Sequence, residues 1–254
     1  MIVLNSIFKK VNQLNVKTAR SHDVATILRD VQDVMSQLDG WEASLPGYMQ
    51  DTQSNLSHYA AQGLGRVFVT VYLGIYHYGQ LLTYQFLHHN ASDDPTTTIL
   101  SQRCKDFAEK LCDMVYTALD TPGCDVLYNM VGHILVIAST IQIHTLLFSS
   151  DNKSVMAARV RLERNYTVLL RLRELWSTLD YCLMRLKVFH RACVLPMETS
   201  FKLDDWMLKF LSEFAKPVNE RDQDCWAIGE INFAPSSDQE GESLTSILNI
   251  LPDT

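Results

Sequence analysis

The chain has 254 residues, of which 47% are hydrophobic and 20% charged, with only 10 glycines and 7 prolines; this excludes collagenous, low-complexity and wholly disordered chains and fits one large domain, or one domain with a tail. The net charge of −7 is uneven, because residues 219–254 hold eight acids against the single base Arg221 and leave 21 acids and 21 bases in the rest. A neutral body lacks the clustered Lys and Arg that neutralise phosphates, so direct nucleic-acid binding is not expected.

Cysteines stand at 104, 112, 124, 182, 193 and 225, with none of the close pairs that zinc sites use. The opening MIVLNSIFKK is too briefly apolar for a signal-peptide core. A reducing intracellular compartment with free, buried thiols is therefore expected. Sequons at Asn55, Asn90, Asn152 and Asn165 matter only in a secreted chain.

Over 21–38, Val24, Ile27, Leu28, Val31, Met35 and Leu38 recur at helical spacing, with Ser21 and Asp23 at the N-terminal end. Gly40 is expected to end this helix, and Trp41, Leu45 and Pro46 to form an extended, packed link. The stretch 67–92 contains no Asp, Glu, Lys or Arg and, as a single rod, would reach about 39 Å, the span of a bundle interior or a membrane. Its Tyr72, Tyr76, His77, Tyr78, Gln80 and Gln85 favour a protein interior over lipid. The histidines His88 and His89 fall at its expected end, where a cation complements the helix dipole.

Pro95 is placed to open a helix whose stripe is Leu100, Cys104, Phe107, Leu111, Val115 and Leu119, closed by Thr121, Pro122 and Gly123. A second charge-free run, 126–150, includes VGHILVIASTIQIHTLLF; His133, Gln142 and His144 again argue for burial inside a helical domain. From Ser154, a long segment runs through Ala158, Leu162, Leu169, Leu172, Trp176, Leu179, Leu183, Leu186 and Phe189. Its other face carries Arg159, Arg161, Arg164, Arg171 and Arg173 with Glu163 and Glu174, read as a solvated face. A short helix with Leu203, Trp206, Met207, Phe210, Leu211 and Phe214 ends before Pro217. Strand and repeat signals are scarce, so the fold class is all-α, one large domain of about seven or eight helices with a C-terminal acidic tail.

Motif searches for chemistry fail. GLGRVF at 63–68 lacks the third glycine and the preceding strand of a dinucleotide loop, and the serine-elbow, zinc-protease and EF-hand patterns do not occur. The adjacent carboxylates Asp93 with Asp94, and Asp204 with Asp205, begin turns or diverge rather than forming an acid/base pair. No catalytic residue, cofactor or metal ligand is assigned to this chain. A ligand pocket, if the helices enclose one, would use Tyr76, His77, His133 and His144; a satisfied core is the competing role for these residues. The last segment combines acids at 238, 240, 242 and 253 with Leu244, Ile247, Leu248, Ile250 and Leu251, the composition of a tail that folds into a partner's groove on binding.

In order, Trp41 with Leu45-Pro46, the Tyr- and His-rich stretch ending LLTYQFL, the stretch 104–119, the stretch reaching IHTLLF, the Trp176 region and FKLDDWMLKFLSEFA resemble the regulatory middle-homology domain of fungal zinc-cluster transcription factors, over roughly residues 22 to 215. In that family a module with six zinc-binding cysteines reads DNA and the helical domain regulates output. None of the cysteines here matches that paired pattern, so zinc binding and base recognition are carried over to no residue. The Met1 start falls inside what would be the middle of that family's domain, which implies a truncated product, a fragment or a split gene model.

The resemblance implies a nuclear, non-enzymatic transcription regulator, tied to a metabolic or secondary-metabolite pathway. Residues 1–218 are then the regulatory domain, and 219–254 an acidic-hydrophobic tail expected to be disordered. Partners would be the transcription machinery or a co-regulator, with a homo- or heterodimer as a further option and no membrane association. The alternative is a small-molecule-binding or catalytic helical domain.

Overall fold

The computed structural model describes residues 2–20, 23–89, 95–194 and 200–213. Those residues form an all-α fold of nine helices, without strands among them. The first, α1 (Ile2–Arg20), buries Leu4, Ile7, Val11 and Leu14 at steps of three and four, the spacing of one helical face. It lies on α2 (Val24–Ala43) and α4 (Gly65–Thr83). Asp23 caps α2 by accepting from the Thr26 amide at 3.2 Å. Gly40 does not end α2, which continues to Ala43. The half-buried Trp41 packs on the core, so tertiary contact outweighs the glycine's poor helix propensity.

After a 3-10 turn at Gly47–Met49, Thr52 caps α3 (Gln53–Ala61). Gly63 then turns the chain in the left-handed region, at φ 73°, a conformation that suits glycine. At Gly65 a Cβ would lie 2.3 Å from the Cys124 Sγ. The two glycines of GLGRVF thus serve a turn and a close approach. The charge-free stretch is not one rod: α4 stops at Thr83 and a 3-10 segment, Tyr84–His89, follows. The Thr83 hydroxyl donates to the Gly79 carbonyl at 2.8 Å, and such a bond competes with the regular helical ladder.

Helix α5 (Pro95–Asp120) packs along α4, where Gly79 admits the Phe107 ring: a Cβ there would sit 2.7 Å from it. Gly123, at φ 80°, belongs to the turn that leads to α6 (Asn129–Phe148), whose residues 131–146 are all buried. Helices α5, α7 (Asn152–Leu175) and α8 (Leu179–Val194) surround α6. Among the described residues α6 alone is long and apolar enough to cross a membrane, with a mean hydropathy of 1.7 over its most apolar window, 89% of which is buried within the protein.

The long segment beginning near Ser154 is two helices. Asp151, rather than Ser154, caps α7, and the chain breaks at 176–178, where the Trp176 indole donates to the Leu127 carbonyl at 2.9 Å. Its arginine-rich face is solvated at Glu163, Arg164, Arg171 and Glu174, which are exposed, and it also forms a seam with neighbouring elements. Arg161 lies 3.2 Å from Glu109 and 3.6 Å from Asp113, Arg164 stacks over Tyr116 at 4.0 Å, and Arg173 meets Asp180 at 2.8 Å. Beneath that seam the fully buried Asn165 joins three helices. Its amide donates to Ser139 at 3.1 Å and its oxygen accepts from the Tyr116 hydroxyl at 2.7 Å. Asp204 caps the final described helix, α9 (Asp205–Ser212), which buries Met207, Phe210 and Leu211; Asp93, Asp94, Phe214, Pro217 and the whole of 219–254 lie outside the described residues.

Candidate functional site

Helices α4 and α6 deliver the four side chains singled out from sequence to three places, with His77 and His133 together and Tyr76 and His144 each apart from them. Tyr76 points toward the loop before α3 and donates its hydroxyl to Asp51, while Tyr72, one turn earlier, donates to the Met49 carbonyl at 2.6 Å. Burial first, and Asp51 next, hold the Tyr76 phenol well above its ordinary range. The two tyrosines therefore clamp the 44–52 loop.

His77 and His133 do meet, edge to face, with ring centres 6.0 Å apart, and the Gln80 amide lies 3.3 Å from the His77 Nδ1. Burial, then the His133 charge, push His77 down to about 3. His133 reaches the Leu211 carbonyl of α9 with its Nε2 at 3.1 Å; burial and the nearby Arg185 lower it to about 4. His144, farther along α6, reaches the Leu87 carbonyl at 3.0 Å and sits edge-on to Phe201; burial lowers it to about 3. A neutral imidazole facing a carbonyl carries its proton on that nitrogen, so His133 and His144 act as hydrogen-bond donors joining segments. The tail positions Leu244, Ile247, Leu248, Ile250 and Leu251 lie outside the described residues.

The described thiols Cys104, Cys112, Cys124, Cys182 and Cys193 are buried and form no disulfide among the described residues. Burial raises Cys104 and Cys112 to about 12 and Cys182 to about 11, the wrong direction for a nucleophile or a thiolate ligand at neutral pH. Among the described residues no group of three or more His, Cys, Asp or Glu side chains is placed to hold a metal ion.

A feature that sequence reasoning missed is a cleft of about 180 Å³ between the start of α3 and the middle of α5. Lys110, Asp113, Met114 and Thr117 share one face of α5 and form one wall, opposite Asp51 and Leu56. Their spacing places them together, but the opposite wall needs α3, which carries a single buried residue, Leu56, and so has no apolar stripe to announce it. The Lys110 ammonium lies 5.7 Å from the centre of the Tyr76 ring. Behind it the half-buried Glu42 carboxyl is raised by burial and lowered in turn by Lys110. The Asn55 side chain donates to the Gly47 and Gln50 carbonyls at 2.8 and 2.7 Å, fixing the loop wall. No family model, curated protein or solved structure matches this chain.

Proposed function

We propose that this chain is the helical regulatory part of a transcription regulator of the fungal zinc-cluster kind, acting in the nucleus through contacts with the transcription machinery or a co-regulator. The observation that carries the reading is the order of the helical elements: α2 with Trp41, α4 with its charge-free run from residue 67, α5 with Cys104, charge-free α6, the Trp176 junction and α9. This is the order of features in which the resemblance lies. A neutral body with an acidic end supports protein partners over a polyanion. The carbonyl bonds of His133 and His144 support a framework role for them over a ligand pocket shared with Tyr76 and His77.

The experiment is a reporter assay with residues 1–254 fused to an unrelated DNA-binding domain. Output is expected to change several-fold relative to the DNA-binding domain alone. Replacing Leu248 and Leu251 by Ala is expected to remove most of that change, because a few apolar anchors dominate groove recognition. Unchanged output from the double variant would overturn the assignment of the tail.

A further inference from the structure

The cleft between α3 and α5 is not used by the regulatory reading, and its lining combines both signs of charge over an apolar floor. We propose that it binds a small aliphatic α-amino acid, with Lys110 taking the carboxylate, Asp113 and Asp51 the ammonium, and Leu56 and Met114 the side chain. Lys110 supplies the cleft's positive charge, and among the described residues no ion pair holds it. Asp113 is held loosely: its oxygen is 3.6 Å from Arg161, which has Glu109 nearer at 3.2 Å, and its side chain is 60% exposed. Asp51 accepts the Tyr76 hydroxyl, which leaves a carboxylate further acceptor sites.

Asp51 and Asp113 disfavour a simple anion, and a simple cation, although drawn by them, meets the Lys110 charge and leaves that group without a carboxylate partner in the cleft. A molecule bearing both charges satisfies both walls, and selectivity follows from the penalty on each half alone. Leu56 and Met114 line the cleft but are core residues, 2% and 6% exposed, so the apolar floor is small and has room for contact with a few carbon atoms only. The volume of about 180 Å³ is below the roughly 300–1,000 Å³ of sites for larger ligands, which suits an occupant with a short side chain. Tyr72, Tyr76 and Asn55 already fix the loop wall, so little ordering cost remains on binding. The Thr117 side chain completes the rim one turn beyond Asp113.

The test is titration calorimetry on the purified full chain with L-valine, isobutylamine, isovalerate and L-tryptophan. L-Valine is expected to bind with a dissociation constant on the order of 0.1–1 mM, as suits so few atoms, and the other three at least about tenfold more weakly. Lys110→Met and Asp113→Asn are each expected to weaken L-valine by about tenfold or more, with the ligand-free unfolding midpoint unchanged because both positions are exposed. Three results overturn the proposal: no binding of L-valine, isobutylamine binding as tightly as L-valine, or both variants binding like the parent. Binding is read on the isolated protein, so its failure leaves the reporter result standing, and a silent reporter leaves the cleft standing.

Discussion

His133 and His144 show how a polar side chain inside a charge-free helix acquires a structural task. Each is almost completely buried, 3% and 1% exposed, and each reaches a backbone carbonyl outside its own helix, Leu211 and Leu87 respectively. Their folded-state values of about 4 and about 3 lie below the roughly 6.5 of an unfolded histidine. Between those limits the unfolded chain binds more protons than the folded one. Stability is therefore full above about pH 6.5 and is lost as pH falls toward the folded values, by at most about 1.4 kcal/mol per pH unit for each ring. Urea midpoints should fall between pH 7 and pH 5, and His144→Gln, which keeps a donor for Leu87, should flatten that slope by up to about one proton. An unchanged slope in the variant would contradict the burial of a neutral ring. The burial of these residues was legible in the sequence, from the absence of charge around them. Their partners were not, because a backbone carbonyl has no sequence signal. Tyr76 shows the same limit: nothing near Asp51 marked it as the acceptor of a phenol twenty-five positions away.

Among the elements, those with a strong apolar stripe were legible and those without were not. The stripe of α5 is buried at Leu100, Cys104, Phe107, Leu111 and Val115, as its spacing required. Helix α1 carries an equally regular stripe at Leu4, Ile7, Val11 and Leu14, although the opening ten residues show only a brief apolar run. The break at Trp176 left no mark, since Leu172 and Leu179 are two turns apart and continue the same face. Close packing between α4 and α5 depends on Gly79, and Gly79→Ala should cost about 1–3 kcal/mol in urea unfolding because the new methyl meets the Phe107 ring. Pairing it with Phe107→Leu should recover part of that loss; strict additivity would show that the two positions do not touch. Helix α9 is too short to be stable alone. The fully buried Arg185 donates to the Phe210 carbonyl and stacks over that ring at 4.8 Å. Arg185→Met, a change that retains apolar volume, should speed amide exchange across α9 by about tenfold or more while leaving α5 and α6 protected. Exchange unchanged in α9 would mean that other contacts hold it.

For the molecule as a whole, the described helices place the most apolar segment, α6, at the centre and shield it with α5, α7 and α8. Several charges on the shell are matched in pairs, as in the seam of Arg161 with Glu109 and the bidentate contact of Arg103 with Asp39 at 2.6 and 2.8 Å, and outside 219–254 acids and bases are equal in number. The acids of 219–254 stand outside that balance. Such a division, a neutral helical body and an acidic segment that also carries Leu244, Ile247, Leu248, Ile250 and Leu251, is the composition on which the proposed regulatory role rests. The all-α class was readable from hydrophobic periodicity alone, whereas the cleft required knowing that α3 lies against α5, a long-range pairing that no local pattern encodes. The most direct measurement of the regulatory reading is transcription from a reporter to which the intact chain is tethered by an unrelated DNA-binding domain. A several-fold change in transcript over the tether alone is predicted; transcript equal to the tether alone, at matched protein levels in the nucleus, would contradict it.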